Sequence, residues 1–443
     1  MSETPSTEPT EALNDAPVAT VEKPAKPRRN GGMFAPLRYR DYRLLFVGQL
    51  ISALGDAFYI VALPWYMLTQ GGGPANLGLA LTAYGIPMGV MTLAGGWLSD
   101  KLRARRVMLV SDFARIFVLA GLAWATFGVH APLWQIAALT AALGAFDGLF
   151  MPASSAIAPD LLPEDQLQAA NGLYFALMRL AQMVGPTLAG LVIAHTSTSS
   201  AFAIDAATFL ASTVTLLFIR NRVSYVSSAP GTASATDATS QEANQEASLP
   251  DSLWRFAVGA PYTFILLLVL IIGNLLNGAV GEVAIPTLAQ GPLHAGAQAY
   301  GVIIGALGGG ALVGGLLASA LGNRVSRGVY SLHFFALQSV VIFALALSVN
   351  VPMAIGLMAT FGLLNGLGNV TFTTLLQRRL PRNLLGRIMG VIGFANFATL
   401  PLSVAAGGFA TARFGPSPVI MVGAGLLLLA MLIGYTSRDL RNL

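Results

Sequence analysis

Twelve runs of apolar residues, each long enough to cross a bilayer, lie at 43–69, 76–99, 107–128, 133–158, 167–194, 200–219, 259–288, 299–321, 329–349, 351–376, 384–412 and 416–436. A run of about 20 residues covers the ~30 Å hydrocarbon core as a helix rising ~1.5 Å per residue. Lipid offers no partner to a backbone N–H or C=O, so a spanning segment must satisfy its own backbone. Continuous apolar runs do this as helices, whereas membrane strands alternate polar and apolar residues. The expected fold is an all-α membrane protein of twelve transmembrane helices. Composition agrees, with 55% of residues hydrophobic and 10% charged, a balance foreign to soluble domains.

Lys and Arg set the orientation. With the N-terminus in the cytoplasm, 22 of the 25 cations fall on the cytoplasmic side. Arg115 and Arg179 lie within spans, and Arg413 sits near an outer connection. A multi-pass protein of a bacterial-type inner or plasma membrane is expected, with both termini cytoplasmic. The net charge of +5 is spread over the inner rims of helices, where anionic headgroups attract it, so lipid is the expected partner and nucleic acid is not.

The spans fall six and six around a polar, low-complexity stretch. The expected organisation is a disordered cytoplasmic tail at 1–40, a six-helix half at 41–220, a cytoplasmic linker at 221–253, a second six-helix half at 254–436 and a tail at 437–443. A displacement of 218 superposes Gly144 on Gly362, Gly148 on Gly366, Leu162-Pro163 on Leu380-Pro381 and Gly172 on Gly390, with Asp147 falling on Asn365. Tyr84-Gly85 matches Tyr300-Gly301 at 216. Six spans is an even number, so the halves enter the membrane in the same direction, as parallel repeats about an axis along its normal. The glycines of the eighth span (Gly305, Gly308, Gly309, Gly310, Gly314, Gly315) fit close helix approach, read either as static packing or as a gliding surface.

Between the second and third spans, Gly96-Trp97-Leu98-Ser99-Asp100-Lys101-Leu102-Arg103-Ala104-Arg105-Arg106 sets one carboxylate and four cations between two apolar runs. Such charge belongs at a water-facing helix end. With twelve spans in two parallel halves, this motif resembles the major facilitator superfamily over about residues 37–436. More narrowly the chain resembles the twelve-helix drug:proton antiporters, a group with macrolide and siderophore exporters. Leu143 to Gly148, Met178-Arg179-Leu180 and Gly185-Pro186-Thr187-Leu188-Ala189-Gly190 carry that likeness. The family's loop motif has glycine where this chain has Arg103, its degenerate second copy has Asn323 in place of a carboxylate, and Ala181 and Ala189 replace glycines of the fifth-span motif. The resemblance implies that Asp100 and its cations clamp the cytoplasmic ends of the two halves. A helix N-terminus, such as that of the eleventh span near Leu384 to Arg387, would attract Asp100.

No enzyme site, cofactor site or metal site is apparent. Four scattered histidines, no cysteine and no Gly-Lys-Ser loop provide no nucleotide or metal constellation. Charges inside spans are the functional candidates, since each costs about 2.5–3.5 kcal/mol to insert. Asp56 in the first span has no cation beside it in sequence and is the candidate protonation site. Asp147 in the fourth and Arg179 in the fifth come to one level, either as an ion pair fixing two helices or as a transport switch. Glu282 and Asp205 are read as rim or capping acids, with Glu282 kept as a substrate or proton candidate. Asp112 and Arg115, three apart on one helix face, join Gly96, Asp100, Lys101, Arg105 and Arg106 in a cytoplasmic gate. Phe58, Tyr59, Trp65 and Tyr66 either line a cavity or face lipid. Pro186, between Gly185 and Gly190, and Pro401 are expected to kink their helices. The expected function is proton-exchanging export of an amphipathic small molecule by alternating access, with the monomer as the working unit. An uncoupled or lipid-moving transporter of the same fold is the rival. A non-transporting receptor would need a soluble signalling domain that neither tail nor linker can form.

Overall fold

The computed structural model describes residues 32–128, 131–220, 272–322, 328–379 and 399–436. A 3-10 turn, Ala35–Arg38, within the segment assigned to the tail, buries Ala35 and Pro36 and leads into the first helix. The first half consists of α1 (Arg40–Thr69), α2 (Pro74–Leu102), α3 (Ala104–Ala125), α4 (Leu133–Ala156), α5 (Glu164–His195) and α6 (Thr198–Leu217). A short turn of helix, Ala158–Leu161, joins α4 to α5. The second half contributes α7 (272–290), α8 (Ala297–Leu321), α9 (Gly328–Ala346), α10 (Val351–Arg379), α11 (399–414) and α12 (Pro416–Thr436). Among the described residues ten helices, all but α7 and α11, are long and apolar enough to cross a membrane. The linker at 221–253, most of the first tail, the last tail, the Asn323 loop, and the beginnings of the seventh and eleventh spans lie outside the described residues.

Local signals place the helix ends. Pro74 occupies the first turn of α2, where its missing N–H costs nothing. The Ser197 hydroxyl accepts from the Ser200 N–H at 3.1 Å and caps α6. Between α2 and α3 a single residue, Arg103, turns the chain with φ 67°. This is left-handed backbone that glycine adopts freely and arginine does not, which gives a physical reason for the glycine of the family's loop motif.

The helices pack in a repeated pattern. In the first half α4 packs on α2 and α3, and α6 on α1 and α3; in the second, α10 packs on α8 and α9, and α9 on α12. Glycines set the closest approaches. A Cβ on Gly144 would meet the Tyr84 carbonyl, and one on Gly148 that of Met88; Gly362 stands likewise against Leu307 and Gly366 against Ala311. These contacts correct the repeat alignment. Tyr84 corresponds to Leu307 rather than to Tyr300, a displacement of 223 and a slip of two helical turns from the sequence match. A helix tolerates that slip because residues seven apart lie on nearly the same face.

The halves meet at the end of the bundle opposite the basic α2–α3 loop. There α5 crosses α8: a Cβ on Gly190 would lie 2.5 Å from the Ala297 carbonyl oxygen and 2.9 Å from the Gly301 Cα. The pseudo-equivalent crossing joins α2 to α11, where a Cβ on Gly78 would lie 2.6 Å from the Val404 carbonyl oxygen and 2.9 Å from the Gly408 Cα. Nearby Thr82 donates to the Pro401 carbonyl at 3.1 Å, and Trp65 stacks on Tyr300 with ring centroids 6.0 Å apart. Deeper along the seam, Pro186 lacks the N–H that would bond the Gln182 carbonyl, and Gly308 packs against that same carbonyl. Outward faces carry large apolar side chains such as Phe117, Trp124, Trp134 and Leu316, as a lipid-facing surface requires.

Candidate functional site

A cavity of about 660 Å³ lies between the halves. Asp56 of α1 and Arg179, Gln182 and Pro186 of α5 form the first half's wall. The opposite wall is amide-rich and aromatic, with Asn274 and Asn277 of α7, Gln338 of α9, Asn365 and Asn369 of α10, and Phe335, Phe361 and Phe372. Tyr300, against which Trp65 stacks, lines the end away from the basic loop. Glu282 lines the cavity from a π-helical stretch, Asn277–Ala284. Such widened turns insert one residue into the helix and re-aim the side chains around it. Its cavity position, and the burial of Asp205 (1% exposed), correct the reading of both as rim acids. Helix α6 packs on α1 and α3, and the Asp205 carboxylate lies against Gly55 of α1.

Among the described residues, two polar atoms in the amide wall are buried without a hydrogen-bond partner: Asn274 Nδ2 and Gln338 Oε1. Asn369 uses its amide differently, donating to Asn365 Oδ1 and to the Asn365 carbonyl at 3.0 Å each. An unsatisfied buried donor or acceptor costs about 1–3 kcal/mol, so this wall can reward a solute that brings the missing partner.

Behind the first half's wall lies a charged network that the cavity does not reach. Arg115 of α3 pairs with Asp147 of α4 at 2.7 Å and with Asp112, one turn back, at 3.5 Å. Tyr84 of α2 donates to Asp147 Oδ2 at 2.6 Å, and Ser212 of α6 donates to Asp112 Oδ2 at 2.7 Å. The guanidinium lies 4.4 Å above the Phe150 ring centroid and 4.9 Å above that of Phe209. A buried cation so placed has both its charge and its flat faces satisfied.

This network overturns two expectations. Asp147 pairs with Arg115, while Arg179 is exposed in the cavity wall and donates to Gln182 at 3.0 Å. The reason is topological: α5 packs on α1 and α8, while α4 packs on α2 and α3. Asp112 and Arg115 are 0% and 3% exposed and stand away from the loop, since Arg115 lies eleven residues, about 17 Å, along α3. The loop itself does something simpler. Arg105 donates through Nε to the Leu216 carbonyl at 2.9 Å and through a terminal nitrogen to the Leu217 carbonyl at 2.8 Å, closing the C-terminal end of α6. Lys101 Nζ lies 3.9 Å over the ring centroid of Trp97, one turn back. Arg106 is exposed, Gly96 has open space beside its Cα, and Asp100 falls in the last turns of α2. In the α4–α5 connection, burial raises the Asp160 carboxyl above the usual range against the pull of Arg103. The expected partner of Asp100, near Leu384 to Arg387, lies outside the described residues.

The aromatics of α1 neither line the cavity nor face lipid. Phe58, Tyr59 and Tyr66 are buried in the core, with Tyr59 against Tyr84 and Phe202. Sequence reading also passed over Tyr84, Ser212 and the amides as site residues. The amides had a signal, since Asn274 with Asn277 and Asn365 with Asn369 recur at helical spacing inside apolar runs. In the expected kink motif, Gly185 packs on Ala57 of α1, Pro186 frees the Gln182 carbonyl, and Gly190 makes the crossing to α8.

Comparison with known proteins places the fold. A solved D-xylose-proton symporter superposes with a TM-score of 0.68 at 15% identity, covering 88% of this chain and 96% of that one. The nucleoside transporter NupG gives 0.64 at 15%, over 89% and 98%. By sequence, the multidrug efflux pump Tap of Mycolicibacterium fortuitum is 27% identical over 89% of this chain and 95% of its own length. Macrolide efflux protein A of Streptococcus pyogenes is 25% identical over 41% of this chain and 46% of its own. The Major Facilitator Superfamily model matches residues 45–404, and the chain belongs to that superfamily of membrane transporters.

Proposed function

We propose that this protein is a secondary active exporter that carries an amphipathic small molecule out of the cytoplasm by alternating access, in exchange for protons. The observation that carries the reading is the cavity between the halves, closed by the two glycine crossings at one end and bordered by Asp56, Arg179 and Glu282. Its volume suits a drug-sized solute. Two relatives named for drug and macrolide efflux support the direction and the substrate class.

Charge supports the orientation, since the basic loop belongs on the cytoplasmic side and the closed end then faces outward. In this state the cavity serves the cytoplasm. Gly96, Asp100, Lys101, Arg105 and Arg106 form the inner gate, with Arg105 tying the loop to α6. Asp56 binds the proton or the solute's positive end, and Asp147 answers it from behind the wall through Arg115 and Tyr84. An acid in the cavity wall favours coupled over uncoupled movement, because a proton and a cationic solute compete for one carboxylate. The monomer contains both walls and both gates, and it is the proposed working unit.

Reconstituted into proteoliposomes with an acidic lumen, the wild type should accumulate ethidium, an amphipathic cation, as the pH gradient collapses. Asp56→Asn and Asp147→Asn should each lose at least about tenfold of that driven uptake, roughly 1.4 kcal/mol in the driving step. Wild-type uptake indifferent to the gradient, or full driven uptake in both variants, would contradict proton exchange.

A further inference from the structure

Asp205 is a buried acid of the first half to which neither the cavity nor the Arg115 network gives a task. It is 1% exposed, seven residues into α6. Among the described residues its carboxylate has one hydrogen-bond partner, the Thr208 hydroxyl at 3.4 Å. That hydroxyl also lies 2.7 Å from the Asp205 backbone carbonyl, where its single proton is better spent. Both ion pairs among the described residues belong to Arg115, which Asp112 and Asp147 already flank. A sealed carboxylate with no cation and no full donor is costly in its charged form.

Its surroundings point to a partner. A Cβ on Gly55 would lie 2.6 Å from Asp205 Oδ1, so the carboxylate rests against the α1 backbone at the residue before Asp56. Asp56 lines the cavity and Asp205 does not. Tyr59 adds a buried hydroxyl without a partner, one turn further along α1. The charged and titratable groups whose fields reach Asp205 are Asp56 of α1, Arg115 of α3 and Asp147 of α4, and it acts in turn on Tyr59 of α1. The Asp205 carboxylate thus rests on the glycine next to Asp56 in the chain, and of the two acids one is reached by the cavity and one is sealed from it.

We propose that Asp205 is a second proton-carrying residue of the transport cycle, exchanging a proton with Asp56 past Gly55 from a position the transported molecule does not touch. The proposal rests on the proton-coupled reading above. In the step, the O–H bond of the Asp56 carboxylic acid breaks and an O–H bond forms on the Asp205 carboxylate. Asp56 becomes the anion and Asp205 the neutral acid, and the pair keeps one negative charge throughout. Asp56 is then free to meet a cationic solute while its proton stays inside the protein.

Purified protein in weakly buffered detergent solution tests this, with a pH-indicator dye reporting protons released as ethidium binds and fluorescence reporting the ethidium Kd. Asp205→Asn, which preserves shape, and Asp205→Ser, which shortens the side chain, should keep the Kd within about twofold. Both should raise the protons released per ethidium, since the proton leaving Asp56 loses its acceptor inside the protein, and cut gradient-driven uptake about tenfold. Wild-type proton release and uptake in both variants would overturn the proposal, as would loss of ethidium binding in both, which would make Asp205 structural. If the wild type itself shows no gradient-driven uptake, proton exchange fails first; if wild-type driven uptake stands and the Asp205 variants match it, this inference fails alone.

Discussion

Gly144 and Gly148 in the first half, and Gly362 and Gly366 in the second, bring their helices onto α2 and α8 in the same way. The residue three past the first of each pair has a different fate. Asp147 pairs with a buried Arg115 and accepts from Tyr84, whereas Asn365 lines the cavity and accepts from Asn369. The contrast runs through both halves. The first half holds Asp56, Asp112, Arg115, Asp147, Arg179 and Asp205 within its spans, while α8, α9 and α12 carry no Asp, Glu, Lys or Arg at all. A duplicated backbone has kept its packing glycines and largely divided its chemistry, with ionisable groups concentrated on one side and neutral amides on the other, Glu282 of α7 being the acid that the second half adds to the cavity wall. We read the charged half as the proton's and the amide half as the solute's.

The largest expected effect breaks the charged half outright. Arg115→Leu strands Asp112 and Asp147 in the interior and should cost about 3–5 kcal/mol of stability, read as a fall in thermal unfolding temperature in detergent. Adding Asp112→Asn and Asp147→Asn should restore most of it and leave a folded protein without driven uptake. A single substitution costing under about 1 kcal/mol would mean that the network does not hold the half together.

Next come the crossings that both halves share. Gly190→Ala and Gly78→Ala each place a methyl against a facing backbone and should cost the closed end opposite the basic loop about 1–3 kcal/mol. Distance measurements by paired spin labels should show the population moving toward a form open at that end. Equal populations in wild type and variants would show that these crossings do not set the closed state.

Smaller effects belong to the amide wall. Gln338→Leu removes a buried acceptor without a partner, so it should leave stability unchanged or raised. It should raise the KM about tenfold for a solute that donates a hydrogen bond, such as erythromycin, and spare tetraphenylphosphonium, which has none. Loss of both would place Gln338 in packing. The smallest effect is in the loop: Arg103→Gly relieves the left-handed backbone and should stabilise by about 0.5–1 kcal/mol, seen as a raised unfolding temperature.

The spans, the even repeat and the basic end were legible because each is a one-dimensional signal, carried by runs of apolar residues and by the placement of Lys and Arg. The site was legible only in part. Asp56 could be found by its depth in α1, but the partner of Asp147 could not, since sequence order makes α4 and α5 look adjacent when α4 packs on α2 and α3. Counting from a helix end misplaced Asp205, because distance along an axis says nothing about which neighbours cover it. The two-turn slip between Tyr84 and its true counterpart Leu307 has the same origin, a helical face that repeats every seven residues.

The division of labour between the halves is tested most directly by running two assays on Asp56→Asn in the same proteoliposomes: ethidium uptake driven by a pH gradient, and ethidium exchange at equal concentration with no gradient. The account predicts that driven uptake falls at least about tenfold while exchange persists at saturating ethidium, with a raised KM because the cation loses one carboxylate partner. Loss of exchange even at saturating ethidium would leave Asp56 a role in holding solute and none in coupling, and retention of both would remove the charged half from the proton's path; either result contradicts the account.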